Sequence, residues 1–241
     1  METATETIVA AQYGRSKGAP WFEAAYKKDV LILGQGGISS WLSVLCARTG
    51  ATLHTYDHDK FEAHNLNGAF ASKSSIGMQK TAAIQNLIMD FSPDTIVHPY
   101  AEKFGKNSLA GEIMMCGFDN MAARKLAFNK WLEVVEESED PAKCFFQDGR
   151  LSATIMQIYN ICGNDKLSIE RYQDPEVLFD DSEVDEGDCT FRQTSHTAAM
   201  IAGHMVGFYT NWLQNTFTLS PALLPFNWEY NLPFNHVRCI V

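Results

Sequence analysis

Residues 29–45 read DVLILGQGGISSWLSVL, and this stretch sets the fold expectation. DVLIL (29–33) is a short, continuous apolar run, the pattern of a strand buried on both faces. Ile38, Trp41, Leu42 and Leu45 follow at i, i+3, i+4 and i+7, one face of a helix. Between them lies Gly34-Gln35-Gly36-Gly37, a glycine loop in strand–loop–helix context. Gly34 permits a tight turn. Gly36 and Gly37 let backbone N–H groups approach an anion, and the helix N-terminus adds partial positive charge.

The alternation continues outward. TLHTY (52–56), TIVHP (95–99), EIMMCGF (112–118) and KCFFQ (143–147) are strand candidates. Residues 77–91 are expected to be helical, with Ala83, Ile84, Leu87, Ile88 and Phe91 on one face, as is DNMAARKLAFNKWLEVVEE (119–137). SATIMQIYNI (152–161) extends the sheet, antiparallel, and TSHTAAMIAGHMVGFYTNWL (194–213) reads as a long buried helix. The expected fold is α/β: a Rossmann-like, doubly wound, mostly parallel sheet with an antiparallel extension and a C-terminal helix. Three segments are expected: an N-terminal arm (1–27), a central α/β domain (28–215) and a tail (216–241) packed on it, irregular from Ser220.

With 241 residues, 46% of them hydrophobic, the chain can bury a sizeable core. No apolar run approaches the roughly 20 residues that span a bilayer, so no membrane is expected. The polar first 20 residues lack the order of a signal peptide. A net charge of −10 opposes a nucleic-acid partner. Eight of the acids fall in 174–188 (DPEVLFDDSEVDEGD), without a base, as expected of a solvated crossover loop. The six cysteines form no CxxC pair and suit reduced thiols in the cytoplasm.

DHDKFEAHNLNG (57–68) follows the second strand. Asp57, 23 residues after Gly34, ends that strand where an acid ordinarily meets ribose hydroxyls. Ser39 stands where a third glycine would allow close helix packing. The loop and the acid together suit NAD as well as ATP.

GQGGISS, DHDKFEAHNLN and IGMQK, in that order, resemble the signature of the ThiF/MoeB/HesA adenylyltransferases, a family that includes ubiquitin-activating enzymes. Its pattern runs GxGGxGS, then DxDxVxxxNLxRQ, then GxxK. CGFDNMAARKLAFN and QDGRLSATIMQIYNI carry the likeness onward, so that it covers about residues 28–215. The resemblance implies ATP binding and adenylation of a carboxylate, usually the C-terminal glycine of a small ubiquitin-like or sulfur-carrier protein. It implies roles for Gly34, Gly36 and Gly37 in cradling phosphates, and for Asp57 with Asp59 at the ribose. Lys80 and Asn65 would then meet the triphosphate, and Asp119 would hold Mg²⁺. By default Lys80 is a solvated lysine, Asn65 a turn cap, Asp119 a helix N-cap and Arg124 a surface charge.

Gly68 departs from the pattern, since the family places an arginine there. Arg15, in YGRSKG, is a candidate to supply one across a homodimer. Cys189, in Asp188-Cys189-Thr190-Phe191-Arg192, is similar to the thioester-forming cysteine of ubiquitin-type activating enzymes; its alternative is an inert buried thiol. His196 and His204 are expected to be packing residues, and Arg150 either meets the carrier's tail at the rim or sits in a turn. Two other readings stay open. One is an NAD-dependent oxidoreductase; the other is the non-catalytic half of a heterodimeric activating enzyme, which Gly68 favours.

Overall fold

The computed structural model describes residues 12–180 and 194–241. Its strands are β1 (Asp29–Leu33), β2 (Thr52–Tyr56), β3 (Val97–Tyr100), β4 (Ile113–Cys116), β5 (Phe145–Ser152), β6 (Ile155–Cys162), β7 (Asn227–Asn231) and β8 (His236–Ile240). Its α-helices are α1 (Pro20–Ala25), α2 (Gly37–Ala47), α3 (Lys80–Phe91), α4 (Met121–Glu137), α5 (Lys166–Tyr172) and α6 (Ser195–Asn215). The strands form one eight-stranded sheet of order β3-β2-β1-β4-β5-β6-β7-β8. Pairing is parallel from β3 to β5 and antiparallel from β5 to β8.

The apolar run of β1 is explained by two cores. Val30 and Ile32 join Ile38 and Leu42 of α2, Ile84 and Ile88 of α3, and Ile201 and Met205 of α6 on one face. Leu31 and Leu33 join Phe128 and Trp131 of α4 and Tyr172 of α5 on the other. A strand with period-2 side chains needs apolar residues at every position when both faces are covered. β1 and β4 are neighbours whose following helices leave to opposite faces. That divergence opens a crevice at the carboxyl ends of the two strands, the usual ligand position in such sheets.

Two expectations are corrected. Residues beyond Ser220 are not irregular cover: Asn227–Asn231 and His236–Ile240 form a hairpin that adds the last two strands. Trp228 and Tyr230 alternate with Asn227, Glu229 and Asn231, a period-2 pattern; Pro225 and Pro233 flank the strand instead of interrupting it. Asn235, at φ 46°, makes the left-handed turn that joins the strands. Second, Asp148-Gly149-Arg150 is neither a turn nor a rim, because β5 continues through it. α1 and α5 were not foreseen; α1 packs against α6, burying Phe22.

Candidate functional site

The glycine loop leaves β1 at Gly34, whose φ of 77° is a left-handed conformation that favours glycine. A Cβ there would also lie 3.2 Å from the Phe118 ring. Gly36 is the N-cap of α2 and receives no side-chain hydrogen bond. A Cβ on Gly36 would meet nothing within 4 Å, so the loop's outer side is open space. Uncapped first-turn N–H groups beside open space suit an anion. Gln35, between the glycines, is fully buried: its Nε2 donates to Ile32 O (3.3 Å) and its Oε1 accepts from Ser43 Oγ (2.9 Å). Gln35 is a site-shaping residue that the sequence reading passed over, although a polar residue inside a glycine loop is its signal.

Ser39 fits at the third fingerprint position because the close approach is supplied from the other side. Gly117, just past β4, faces it, and a Cβ on Gly117 would press into Ser39 Oγ and lie 3.5 Å from Ser39 Cβ. Gly117→Ala is therefore expected to destabilise the chain by about 1–3 kcal/mol through overpacking. Adding Ser39→Ala, which removes the hydroxyl in the way, should restore most of that loss in urea unfolding. Equal losses in the single and double variants would contradict this packing.

Asp57 is buried at the end of β2. Its Oδ2 accepts from the Gln35 N–H (2.6 Å) and its Oδ1 from the Asp59 N–H (2.8 Å). One carboxylate thus ties the glycine loop to the next loop. A carboxylate has about four acceptor positions, so two remain for hydroxyl donors. Lys80, the first residue of α3, is also buried; its Nζ lies 2.9 Å from Asp59 Oδ2 and 3.9 Å from Asp57 Oδ2. The hydrogen bond from Lys80 holds the Asp59 carboxyl below the usual carboxylate range. Lys80 is therefore not a solvated lysine. Asn65 caps its own short 3₁₀ turn, Oδ1 accepting from the Glu62 N–H (2.9 Å). That bond uses its acceptor, whereas a phosphate would need its amide N–H₂. Gly68 has φ −116° and therefore needs no glycine conformation; its carbonyl accepts from Trp41 Nε1 (2.9 Å).

Asp119 is exposed past the end of β4, where Asn120 Nδ2 donates to its Oδ1 (3.2 Å). The side-chain cap of α4 is Asn120, whose Oδ1 accepts from the Ala123 N–H; it is not Asp119. Arg124 is not a surface charge. It is buried, paired with Asp148 Oδ1, and donates to Phe118 O and to Gly149 O (3.2 Å). Arg150 is largely buried, its Nε 2.7 Å from Asp148 Oδ2 and its guanidinium 4.5 Å from the Tyr159 ring centroid.

Arg15 is exposed. Cys189 and Arg192 lie outside the described residues, as do residues 181–188 of the acidic segment. Burial pushes the thiols of Cys46, Cys116 and Cys162 up to about 12 and that of Cys144 up as well. Those four are poor nucleophiles at neutral pH. Cys239 is exposed on β8. The His204 ring lies tilted against Trp228, centroids 4.3 Å apart, and its partial burial lowers its pKa. No helix among the described residues is long and apolar enough to cross a membrane.

The glycine loop, Asp57, Asp59, Lys80, Asn65 and Asp119 all follow the carboxyl ends of β1, β2 and β4 or begin the next helix. Such an edge can hold a nucleotide: amides and a cation for phosphates, carboxylates for ribose hydroxyls, and an exposed carboxylate for a hard cation.

The ThiF family model matches residues 16–240. Ubiquitin-like modifier-activating enzyme 5 of Arabidopsis thaliana is 30% identical over 80 residues, 33% of this chain and 19% of that protein. The selenomethionine form of PaaA superposes with a TM-score of 0.72 at 14% identity, covering 98% of this chain and 73% of that one. MccB of E. coli in complex with ATP superposes with a TM-score of 0.69 at 16% identity, covering 95% and 70%.

Proposed function

The chain belongs to the ThiF family, and from that premise we propose that it adenylates the C-terminal carboxylate of a small ubiquitin-like or sulfur-carrier protein, with ATP as substrate. The observation that carries this reading is the junction of Lys80 with Asp57 and Asp59 beside the open glycine loop. A ribose-binding acid alone would suit NAD. A nearly buried ammonium 3.9 Å from that acid's Oδ2, which also accepts from the glycine loop's Gln35 N–H, adds a positive charge that a triphosphate can use.

In the proposed step a carrier carboxylate oxygen attacks the α-phosphorus of ATP. The carboxyl O–P bond forms, the α–β bridging P–O bond breaks, and pyrophosphate departs with the bridging oxygen. Asp57 and Asp59 accept from the ribose hydroxyls and fix the nucleoside. The N–H groups of the glycine loop and of the first turn of α2 receive phosphate oxygens. In this reading Lys80 and the Asn65 amide face the phosphates and favour the charge that develops as pyrophosphate leaves. Asp119 fits Mg²⁺, because it is an exposed oxygen donor at the carboxyl edge and Mg²⁺ ordinarily takes one or two carboxylates plus phosphates. When bound, Mg²⁺ would neutralise phosphate charge.

Cys189 is proposed as the acceptor of a second step. Its thiolate attacks the acyl carbon, the C–S bond forms, and the C–O bond to AMP breaks. The alternative thiol is Cys239, the exposed cysteine among the described residues. A homodimer, with Arg15 reaching the partner subunit's site, would supply the cation that Gly68 lacks.

Gly68 also favours a second reading, a nucleotide-binding half without catalysis. Purified chain with candidate carrier proteins ending in glycine, assayed for ATP–pyrophosphate exchange, separates the readings. Carrier-dependent exchange is expected. ATP binding with no exchange for any carrier would leave the non-catalytic half, and NADH binding without ATP binding would restore the oxidoreductase. A thiol-labile carrier adduct should disappear in Cys189→Ala and persist in Cys239→Ala; the reverse would move the nucleophile to β8.

A further inference from the structure

A fully buried carboxylate beside the candidate site divides its two oxygens between two arginines. Asp148 Oδ1 accepts from Arg124 Nη1, while Oδ2 accepts from Arg150 Nε (2.7 Å) and from the Tyr172 hydroxyl (2.9 Å). Arg124 places its other amino group on the carbonyl of Phe118, the residue immediately before Asp119. At the other end of the same turn the Gly117 N–H donates to Leu33 O (3.1 Å), the last residue before the glycine loop. The turn is thus held at two points, one on β1 and one on Arg124. Asp119 itself is exposed, so little packing surrounds its side chain, and its place depends on the backbone that carries it.

Arg124 is held on its far side as firmly as it holds the turn. Arg150 Nη1 donates to Val177 O (2.8 Å), and its guanidinium lies over the Tyr159 ring. Tyr172, from α5, is fully buried. Asp148 therefore sits in a rigid frame built from β5, β6 and α5. An arginine locked by such a carboxylate has little freedom to follow a moving loop, because its planar fork engages both partners at once.

We propose that Arg124, braced by Asp148, is a positioning residue that fixes Asp119 relative to the glycine loop and thereby sets how tightly Mg²⁺ joins the bound nucleotide. This rests on the reading of Asp119 as the metal ligand. Arg124 would touch neither nucleotide nor metal. It acts through one main-chain carbonyl.

The test is Mg²⁺-dependent ATP binding, measured by calorimetry on the full chain. Arg124→Lys keeps the charge but cannot bond Asp148 and Phe118 O through one rigid fork. It should raise the Mg²⁺ concentration for half-maximal stimulation of ATP binding by roughly 10-fold, as loss of outer supports of a metal site commonly does. ATP affinity in EDTA should stay within about twofold, since the loop and Lys80 are untouched. Asp119→Ala should flatten the Mg²⁺ dependence, and Arg124→Lys added to it should change nothing further, the non-additivity expected when one residue acts through the other. If Arg124→Lys does not fold, Tyr172→Phe loosens Asp148 from the opposite side and should shift the Mg²⁺ midpoint in the same direction. A folded Arg124→Lys with an unchanged midpoint, or one that weakens ATP equally in EDTA, overturns the proposal. Mg²⁺-stimulated binding without exchange would remove adenylation and leave this inference standing. Binding indifferent to Mg²⁺ in the unaltered protein would remove Asp119's role and the inference with it.

Discussion

Lys80→Met is expected to lower carrier-dependent ATP–pyrophosphate exchange by about 10²–10³-fold, the usual cost of removing a preorganised electrostatic group. Methionine keeps the unbranched stem that is buried at the start of α3, so packing changes little. What is lost is the ammonium 2.9 Å from Asp59 and 3.9 Å from Asp57. Without it those carboxylates present negative charge to an incoming triphosphate, and ATP affinity falls along with the rate. Lys80→Arg should retain part of both. Stability is read separately: the pair with half-exposed Asp59 is worth little to the fold, whereas buried Asp57 loses its neighbouring cation, so a modest fall in melting temperature is expected beside the large loss of exchange. The Asp59 carboxyl should titrate higher in Lys80→Met, because the hydrogen bond that depresses it is gone. Exchange within a few-fold of the unaltered protein would remove Lys80 from the site.

Asp148→Ala carries the largest expected cost to the fold. Removing one partner of a buried ion network leaves the others charged and unpaired, typically about 3–5 kcal/mol. For a chain of this size that corresponds to roughly 6–20 °C in melting temperature. Here two guanidiniums, of Arg124 and Arg150, lose their shared carboxylate. The pH dependence follows from the direction of the shift. Burial alone would raise the Asp148 carboxyl, but Arg124 and Arg150 outweigh it and the net direction is downward. A carboxylate depressed in the folded state stabilises fully above its unfolded value, about 3.9, and that contribution is lost as pH falls through the lower folded value. The stability difference between the unaltered protein and Asp148→Asn should therefore be constant from pH 8 to about 4 and shrink below that. A difference that shrinks near neutral pH would mean that Asp148 is not held as the anion.

How much of the site was legible differs from residue to residue. Asp57 and Lys80 stand out in the sequence because their constraint is local: each begins or follows an element at fixed spacing from a glycine motif, and the structure buries both. Arg124 reads by default as a surface charge, since a helix one turn past its cap gives no sign of which side faces the sheet. Its burial follows from Asp148, 24 residues away on the neighbouring strand β5. In sequence Gly117 is one more residue of a strand candidate, and only the approach of Ser39 gives it a purpose. The tail's prolines and aromatics suggest irregular cover, whereas its strands depend on pairing with β6, which lies far upstream.

The amino-acid sequence by itself determined the alternating order of strands and helices, the glycine loop, and the acids and lysine placed after it. Apolar period and turn chemistry act over a few residues and can be read from neighbours alone. Only the tertiary structure decided that Asp148 is the centre of a buried charge cluster, that Ser39 is accommodated by Gly117, and that the last residues complete the sheet. In each case the deciding energy, desolvation of a charge, contact between side chains or strand pairing, arises between groups far apart in the chain. It exists only once the fold has brought them together.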